Sequence, residues 1–227
     1  MKVKVGRKIL DANEMYAEKN SNIFAKNKIL CLNMISSPGS GKTTILTRTI
    51  EELKGEVKIG VIEGDIATEL DARRIRRTGA PAVQINTEGA CHLSAAQVNE
   101  AVRKMPVKKL DLIFIENVGN LICPTAFELG ETGKIGVLSV AEGDDKPAKY
   151  PAIFAMAKAV LINKIDLLKI KAVDFDVEKV KRSIRRLNKR MAIFEVSAKT
   201  GEGFSNWSKW LVEQSRQLKD RSVKIII

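Results

Sequence analysis

Ile29-Leu-Cys-Leu-Asn-Met-Ile35 runs straight into Ser36-Ser-Pro-Gly-Ser-Gly-Lys-Thr43, and a helical pattern over Thr43–Leu53 follows at once. A near-continuous apolar run of this length predicts a strand covered on both faces. The turn after it matches G-x-x-x-x-G-K-[ST], with Ser36 where the first glycine is expected and Gly39, Gly41, Lys42 and Thr43 intact. Binding phosphate takes backbone N–H groups aimed at one point, which calls for glycine conformations and an open approach. Pro38, Gly39, Ser40, Gly41, Lys42, Thr43 and Thr44 are therefore the expected phosphate contacts. Lys42 is the expected charge-neutralising and catalytic cation, and the Thr43 hydroxyl an Mg²⁺ ligand. The positive end of the following helix faces the same point.

Outward from this loop, apolar runs alternate with helical patterns. Strands are expected at Lys58–Ile62, Ala82–Ile85, Leu112–Ile115, Gly136–Val140, Ala159–Ile162 and Ile193–Val196. Helices are expected at Glu69–Arg77, Leu93–Arg103, Val177–Asn188 and Phe204–Leu218, with a further one over Asp11–Ala25 before the first strand. This order predicts an α/β fold: a mostly parallel P-loop NTPase sheet with helices on both faces and an N-terminal helical appendage. Residues 1–27 are read as the extension and 28–227 as one P-loop domain.

The chain has 227 residues, 44% of them apolar and 29% charged, as for a soluble globular protein. No apolar run reaches the ~18–20 residues a transmembrane helix needs, and Met1–Leu10 leads into Asp11-Ala-Asn-Glu14 rather than a secretory apolar core. The expected setting is the cytoplasm, with no membrane partner. There Cys31, Cys91 and Cys123 stay reduced. Cys31, inside an apolar strand, reads as core. The formal charge of +12 suits anionic ligands or acidic partners. Its densest stretch, Lys179–Arg190, sets Val180, Ile184 and Leu187 at helical spacing beneath the charges, the pattern of an amphipathic helix with a wet basic face. Without interleaved aromatic residues or a nucleic-acid motif, no nucleic-acid partner is expected.

Two later stretches specify the nucleotide. Asn163-Lys-Ile-Asp166 follows the strand Ala159–Ile162, and Ser197-Ala-Lys199 follows the last strand. A carboxylate at Asp166 can accept two parallel hydrogen bonds from guanine, and adenine offers no such donor pair. Asn163 is expected to brace the loops, Lys164 to pack its stem on the base, Ser197 and Lys199 to complete the loop, and the Ala198 N–H to meet the guanine carbonyl oxygen. These residues with the phosphate loop point to GTP. Between them lies Leu112-Ile-Phe-Ile-Glu116-Asn-Val-Gly119, where Glu116 is the expected acid on Mg²⁺ and Gly119 the expected γ-phosphate contact. Asp65 closes Val61-Ile-Glu-Gly-Asp65 and is the candidate for Mg²⁺ and for orienting water. No glutamine stands beside Gly119 for that task, since Asn120 follows, so slow hydrolysis is expected.

Ser36–Thr43, Glu63-Gly-Asp65, Gly89-Ala-Cys-His92 and Glu116-Asn-Val-Gly-Asn-Leu-Ile-Cys-Pro124 together closely resemble the hydrogenase nickel-incorporation GTPases, the HypB family. The likeness spans about residues 10 to 215 and includes the Ser36 variant of the phosphate loop. Urease-type and cobalamin-associated GTPase chaperones share the phosphate loop but look less like this chain at Cys91-His92 and Cys123-Pro124. The resemblance implies a protein that dimerises with GTP and delivers Ni²⁺ to a [NiFe]-hydrogenase large-subunit precursor, with a small zinc-containing partner of the HypA family. The residues agree with it. His92, the one histidine, sits beside Cys91, and Cys123 lies three residues past Asn120. Thiolate and imidazole suit Ni²⁺ or Zn²⁺ and not Mg²⁺. Three ligands leave a structural zinc site incomplete, so a dimer could pool two sets. The chain lacks the N-terminal Cys-rich motif of some family members and any His-rich tract, so a labile metal site is expected rather than a storage site. Competing readings are a regulatory GTPase that engages RNA or membrane through its basic face, and a small-molecule kinase.

Overall fold

The computed structural model describes residues 5–65 and 70–223. Helix α1 (Val5–Lys26) precedes strand β1 (Leu30–Ser36), helix α2 (Lys42–Glu52), β2 (Ile59–Asp65), α3 (Leu70–Arg77), β3 (Ala82–Asn86), α4 (Ala95–Arg103) and β4 (Leu112–Glu116). The short α5 (Cys123–Ala126) leads to β5 (Gly133–Ser139), then α6 (Lys146–Lys149) and α7 (Pro151–Met156). The chain closes with β6 (Ala159–Asn163), α8 (Asp166–Lys169), α9 (Val177–Leu187), β7 (Ala192–Glu195) and α10 (Phe204–Val223). All seven strands are parallel, in the order β3-β2-β4-β1-β5-β6-β7. No described helix is long and apolar enough to cross a membrane.

Strand β1 shows why its sequence reads as unbroken apolar. Leu30, Leu32 and Met34 pack on one face with Ile45, Leu46 and Ile50 of α2 and Phe204, Trp207 and Leu211 of α10. Cys31 turns to the other face with Ile113, Ile115 and residues of α1 and α4, and Ile35 packs there with Leu138 and Ile153. Strand side chains alternate, so two covered faces need apolar residues at every step. Cys31 is fully buried, as expected of a core thiol. The chain moves from β1 out to β2 and β3, returns at β4, and then passes β1 to reach β5. The crevice where the order reverses lies at the C-terminal ends of these strands, where open α/β sheets bind ligands.

Helix α1 is stitched to the core by polar contacts that the sequence pattern does not display. The Asn20 amide donates to Ala95 O and Leu129 O, both at 2.9 Å, and its oxygen accepts from Asn99 Nδ2 at 2.8 Å. Asn13 donates to Glu128 O and accepts from the Ala95 N–H. Ala17 and Phe24 are buried in the same cluster as α4.

Several element bounds move by a few residues, and two of the differences have a clear cause in packing. Strand β5 begins at Gly133 rather than Gly136, because Lys134 is buried in it and held by Glu128 and Glu131. In α9, Val180 and Ile184 are buried as expected, whereas Leu187, in the last turn, is 39% exposed. Glu69, at the expected start of α3, lies outside the described residues.

Candidate functional site

A cleft of about 510 Å³ opens at the C-terminal ends of β1, β2 and β4. It is lined by Pro38, Gly39, Gly41, Lys42, Thr43 and Thr44 from the phosphate loop, by Asp65, Glu116 and Gly119, and by Lys164. Gly41 is the N-cap of α2 with φ of 96°, in the left-handed region. A Cβ there would also stand 2.6 Å from Asn163 Nδ2, so no side chain fits. Gly119 is needed for a steric reason: a Cβ on it would meet Pro38 at 2.9 Å. The loop after β4 thus rests directly on the phosphate loop.

Ser36, at the usual glycine position, is fully buried and organises the loop. Its Oγ accepts from Ser40 Oγ at 2.6 Å and from Lys42 Nζ at 2.9 Å, and donates to Ser37 O at 2.7 Å. Ser40 therefore sits behind the cleft. Lys42, 8% exposed, has its ammonium on a neutral hydroxyl that an anionic phosphate can outcompete.

Behind Lys42 stand two carboxyl groups. Parallel register sets Glu63 of β2 beside Glu116 of β4, and both are buried. Thr43 Oγ1 donates to Glu116 Oε1 at 2.9 Å. Burial, with Glu116 alongside, pushes the Glu63 carboxyl well above the usual carboxylate range. Burial also raises Glu116, opposed chiefly by the Lys42 charge. Glu63 Oε1 and Glu116 Oε2 are buried without a hydrogen-bond partner. The two orphaned carboxyl oxygens and the Thr43 hydroxyl are oxygen donors of the kind a hard divalent cation takes, and the half-buried Asp65 lines the same cleft. Sequence reasoning passed over Glu63 as a site residue. The local signal for it is an acid that breaks the apolar run Val61-Ile-Glu63; only the register places it directly opposite Glu116. Asp71 and Arg74 of α3, paired at 3.2 Å, also line the cleft and carried no motif.

A second pocket of about 230 Å³ shares Gly41, Thr44 and Lys164 with the first and adds Asn163, Asp166, Leu167, Ala198 and Lys199. Asn163 bridges its walls, donating to Ser40 O at 2.9 Å and accepting from the Ala198 N–H at 3.1 Å. Lys164 holds φ of 64° and donates from Nζ to Gly39 O at 2.7 Å. Ser197 lies behind the wall and donates from Oγ to Asp166 Oδ1 at 2.6 Å. The structure thus brings the phosphate-loop and base-loop residues to one continuous cleft.

Cys91, His92 and Cys123 converge in a second place. One ligand atom from each lies within 4.8 Å of the others, and Cys91 Sγ is 3.4 Å from His92 Nδ1. The imidazole stacks on Phe127 with ring centroids 3.9 Å apart, and burial lowers its proton affinity, which favours the neutral ring that can ligate a metal. The hydrogen bond to Cys123 raises the Cys91 thiol. Sulfur and nitrogen donors at this spacing fit a soft or borderline metal.

Two asparagines tie this cluster to the segment leaving β4. Asn117 Oδ1 accepts from the Leu93 N–H at 3.2 Å, and Asn120 Nδ2 donates to Cys91 O at 3.5 Å. Leu93 itself sits against β2, where a Cβ on Gly64 would stand 2.8 Å from its side chain.

Comparison with known proteins shows the family. The nucleotide-binding domain model of the CobW/HypB/UreG family matches residues 31–195. The hydrogenase maturation factor HypB of Escherichia coli K12 is 50% identical over 206 residues, which cover 91% of this chain and 70% of that protein. The probable hydrogenase maturation factor HypB of Methanocaldococcus jannaschii is 38% identical over 215 residues, covering 95% of this chain and 96% of that one. A crystal structure of HypB from Helicobacter pylori in complex with nickel superposes with a TM-score of 0.85 at 38% identity, covering 91% of this chain and 96% of that one. On these matches the chain belongs to the CobW/HypB/UreG family of nucleotide-binding proteins and, within it, to the HypB hydrogenase maturation factors.

Proposed function

We propose that this chain binds GTP with Mg²⁺, hydrolyses it slowly to GDP and phosphate, and uses the nucleotide state to set its hold on a nickel ion bound for a [NiFe]-hydrogenase precursor. The observation that carries the reading is the Cys91–His92–Cys123 cluster, hydrogen-bonded through Asn117 and Asn120 to the same short segment that holds Glu116 and Gly119. A nucleotide that moves Gly119 acts on a segment that also carries one metal ligand and contacts the loop bearing the other two. That gives the two nucleotide states a physical basis for different metal affinities.

In this reading Lys42 leaves Ser36 to neutralise the β/γ-phosphates, and the Gly119 N–H meets the γ-phosphate. Thr43, Glu116 and Glu63 hold the Mg²⁺, and Asp65 holds it or orients the attacking water. When bound, that ion neutralises charge that develops on the phosphate oxygens. Asp166, fixed by Ser197, reads the guanine amine and ring N–H. The Ala198 N–H, which donates to Asn163 in this structure, would share that hydrogen with the guanine carbonyl oxygen. Nickel is the cargo, and zinc is the competing occupant of the same ligands. Residues 28–227 carry this chemistry, with 1–27 as an extension. GTP-dependent homodimerisation, a zinc-containing HypA-type partner and a cytoplasmic setting complete the reading. The basic face of α9 does not call for RNA: Lys179 pairs with Asp144 at 2.8 Å, and Lys181 pairs with Glu178 and Glu195.

Nickel titration of the purified chain tests the cargo site. Cys91→Ala, His92→Ala and Cys123→Ala are each expected to weaken Ni²⁺ binding by at least tenfold, as loss of one of three donors should. GTP affinity of the metal-free proteins should stay within about threefold of the parent, a shift of less than ~1 kcal/mol. Three variants with undiminished nickel affinity would move the site elsewhere.

A further inference from the structure

Arg48 lies on α2, six residues beyond Lys42, and reaches away from the phosphates to the base-reading loop. Its Nε donates to Ala198 O at 2.9 Å and its Nη2 donates to Lys199 O at 3.3 Å. The guanidinium rests over the Phe204 ring, 5.8 Å from its centroid. Glu52, one helical turn on, takes Nη1 at 3.6 Å. Gly201 leaves room for this arrangement, since a Cβ there would stand 2.7 Å from Nη1. A planar fork suits two successive carbonyls, and a lysine ammonium could not reproduce it.

The consequence for the loop follows from peptide geometry. A trans peptide is planar, so its C=O and N–H point opposite ways. Holding Ala198 O on Arg48 therefore fixes the direction of the Lys199 N–H. The next plane is held at both ends, since Lys199 O meets Arg48 and the Thr200 N–H donates to Ser197 Oγ at 3.1 Å. The preceding peptide is held by Asn163, which accepts from the Ala198 N–H. Asn163 also grips Ser40 O in the phosphate loop. Arg48 supplies the second grip, from the rigid helix that begins at Lys42.

We infer that Arg48 is a positioning residue for base recognition: it fixes the Ser197-Ala-Lys199 loop relative to α2, so that the Ala198 and Lys199 N–H groups, the donors this loop offers to position 6 of guanine, stand at a set distance from the bound phosphates. The inference rests on the proposed reading of Asp166 and Ala198 as the base-recognising groups. Arg48 itself touches neither base nor phosphate in this scheme.

The test is competition binding of GDP, 6-thio-GDP and IDP to the full chain and to Arg48→Ala and Arg48→Lys, each checked by thermal melting. The sulfur analogue changes only position 6, and IDP lacks only the amine that Asp166 accepts from. Arg48→Ala should weaken GDP by about tenfold, the ~1.4 kcal/mol of one charge-assisted hydrogen bond. Its preference for GDP over 6-thio-GDP should fall toward one, while its preference for GDP over IDP stays at the parent value. Arg48→Lys, which keeps the charge and the helix, should show the same selective loss and so covers an Arg48→Ala protein that fails to fold. Loss of affinity equal for all three nucleotides, or none, would overturn the inference. A parent protein that distinguishes neither analogue would overturn the base-reading assignment and this inference with it.

Discussion

Lys42→Ala is expected to leave a folded protein that has almost stopped turning over GTP. The fold should survive because the Lys42 ammonium is anchored by a hydrogen bond to Ser36 Oγ and not by a network that holds the loop together. Ser36 keeps its bonds to Ser40 and Ser37 without it. The chemistry should not survive, because this ammonium is a buried positive charge held in the phosphate loop itself. Stabilising charge as it develops on transferring phosphate is worth on the order of 10²–10³ in rate per removed donor in a dry, preorganised site. Single-turnover hydrolysis with a melting curve on the same sample separates the two effects. Turnover within about tenfold of the parent, or ~1.4 kcal/mol of barrier, would remove Lys42 from the phosphate-binding role.

Asp166→Asn should convert a guanine site into a xanthine site. Guanine offers a ring N–H and an amine, and the carboxylate accepts both. Asparagine leaves one of those donors facing another donor. Xanthine presents a carbonyl where guanine has the amine, and the asparagine amide can donate to it. One charge-assisted hydrogen bond, worth about 1.5–3 kcal/mol, is lost and the other becomes a weaker neutral one, which puts the loss of GTP affinity on the order of 10²–10³. Ser197 Oγ can keep its bond, since the amide oxygen accepts as the carboxylate did. Competition between GDP and XDP reads the change. An unaltered ratio would show that another group reads the base.

Most of the fold was legible because its strands are covered on both faces. A strand such as Leu112–Glu116, buried at every position, reads as strand from hydropathy alone. Strand β5 was displaced in the reading because Lys134 looks like loop until its partners Glu128 and Glu131 are seen. The short helices α5, α6 and α7 begin at or beside Pro124, Pro147 and Pro151 and are too brief for a helical period to register. The phosphate and base loops were legible because their chemistry fixes residue type and spacing. Glu63 was not, since its role depends on strand register, which no local pattern displays. Arg48 was hidden in the same way. An arginine four residues before Glu52 reads as a solvated helical pair, and its hold on Ala198 and Lys199 spans 150 residues of sequence. Cys91, His92 and Cys123 could be named as candidates, but only the fold shows them converging.

The measurement that bears most directly on nucleotide gating is nickel titration of the full chain in two states, one with GDP and one with a non-hydrolysable GTP analogue. Metal affinity should differ between the states by roughly 5–150-fold, the ~1–3 kcal/mol typical of coupled sites, and nickel should shift the relative affinity for the two nucleotides by the same factor. Nickel affinities that coincide in the two states would contradict gating, even with the Cys91–His92–Cys123 site intact.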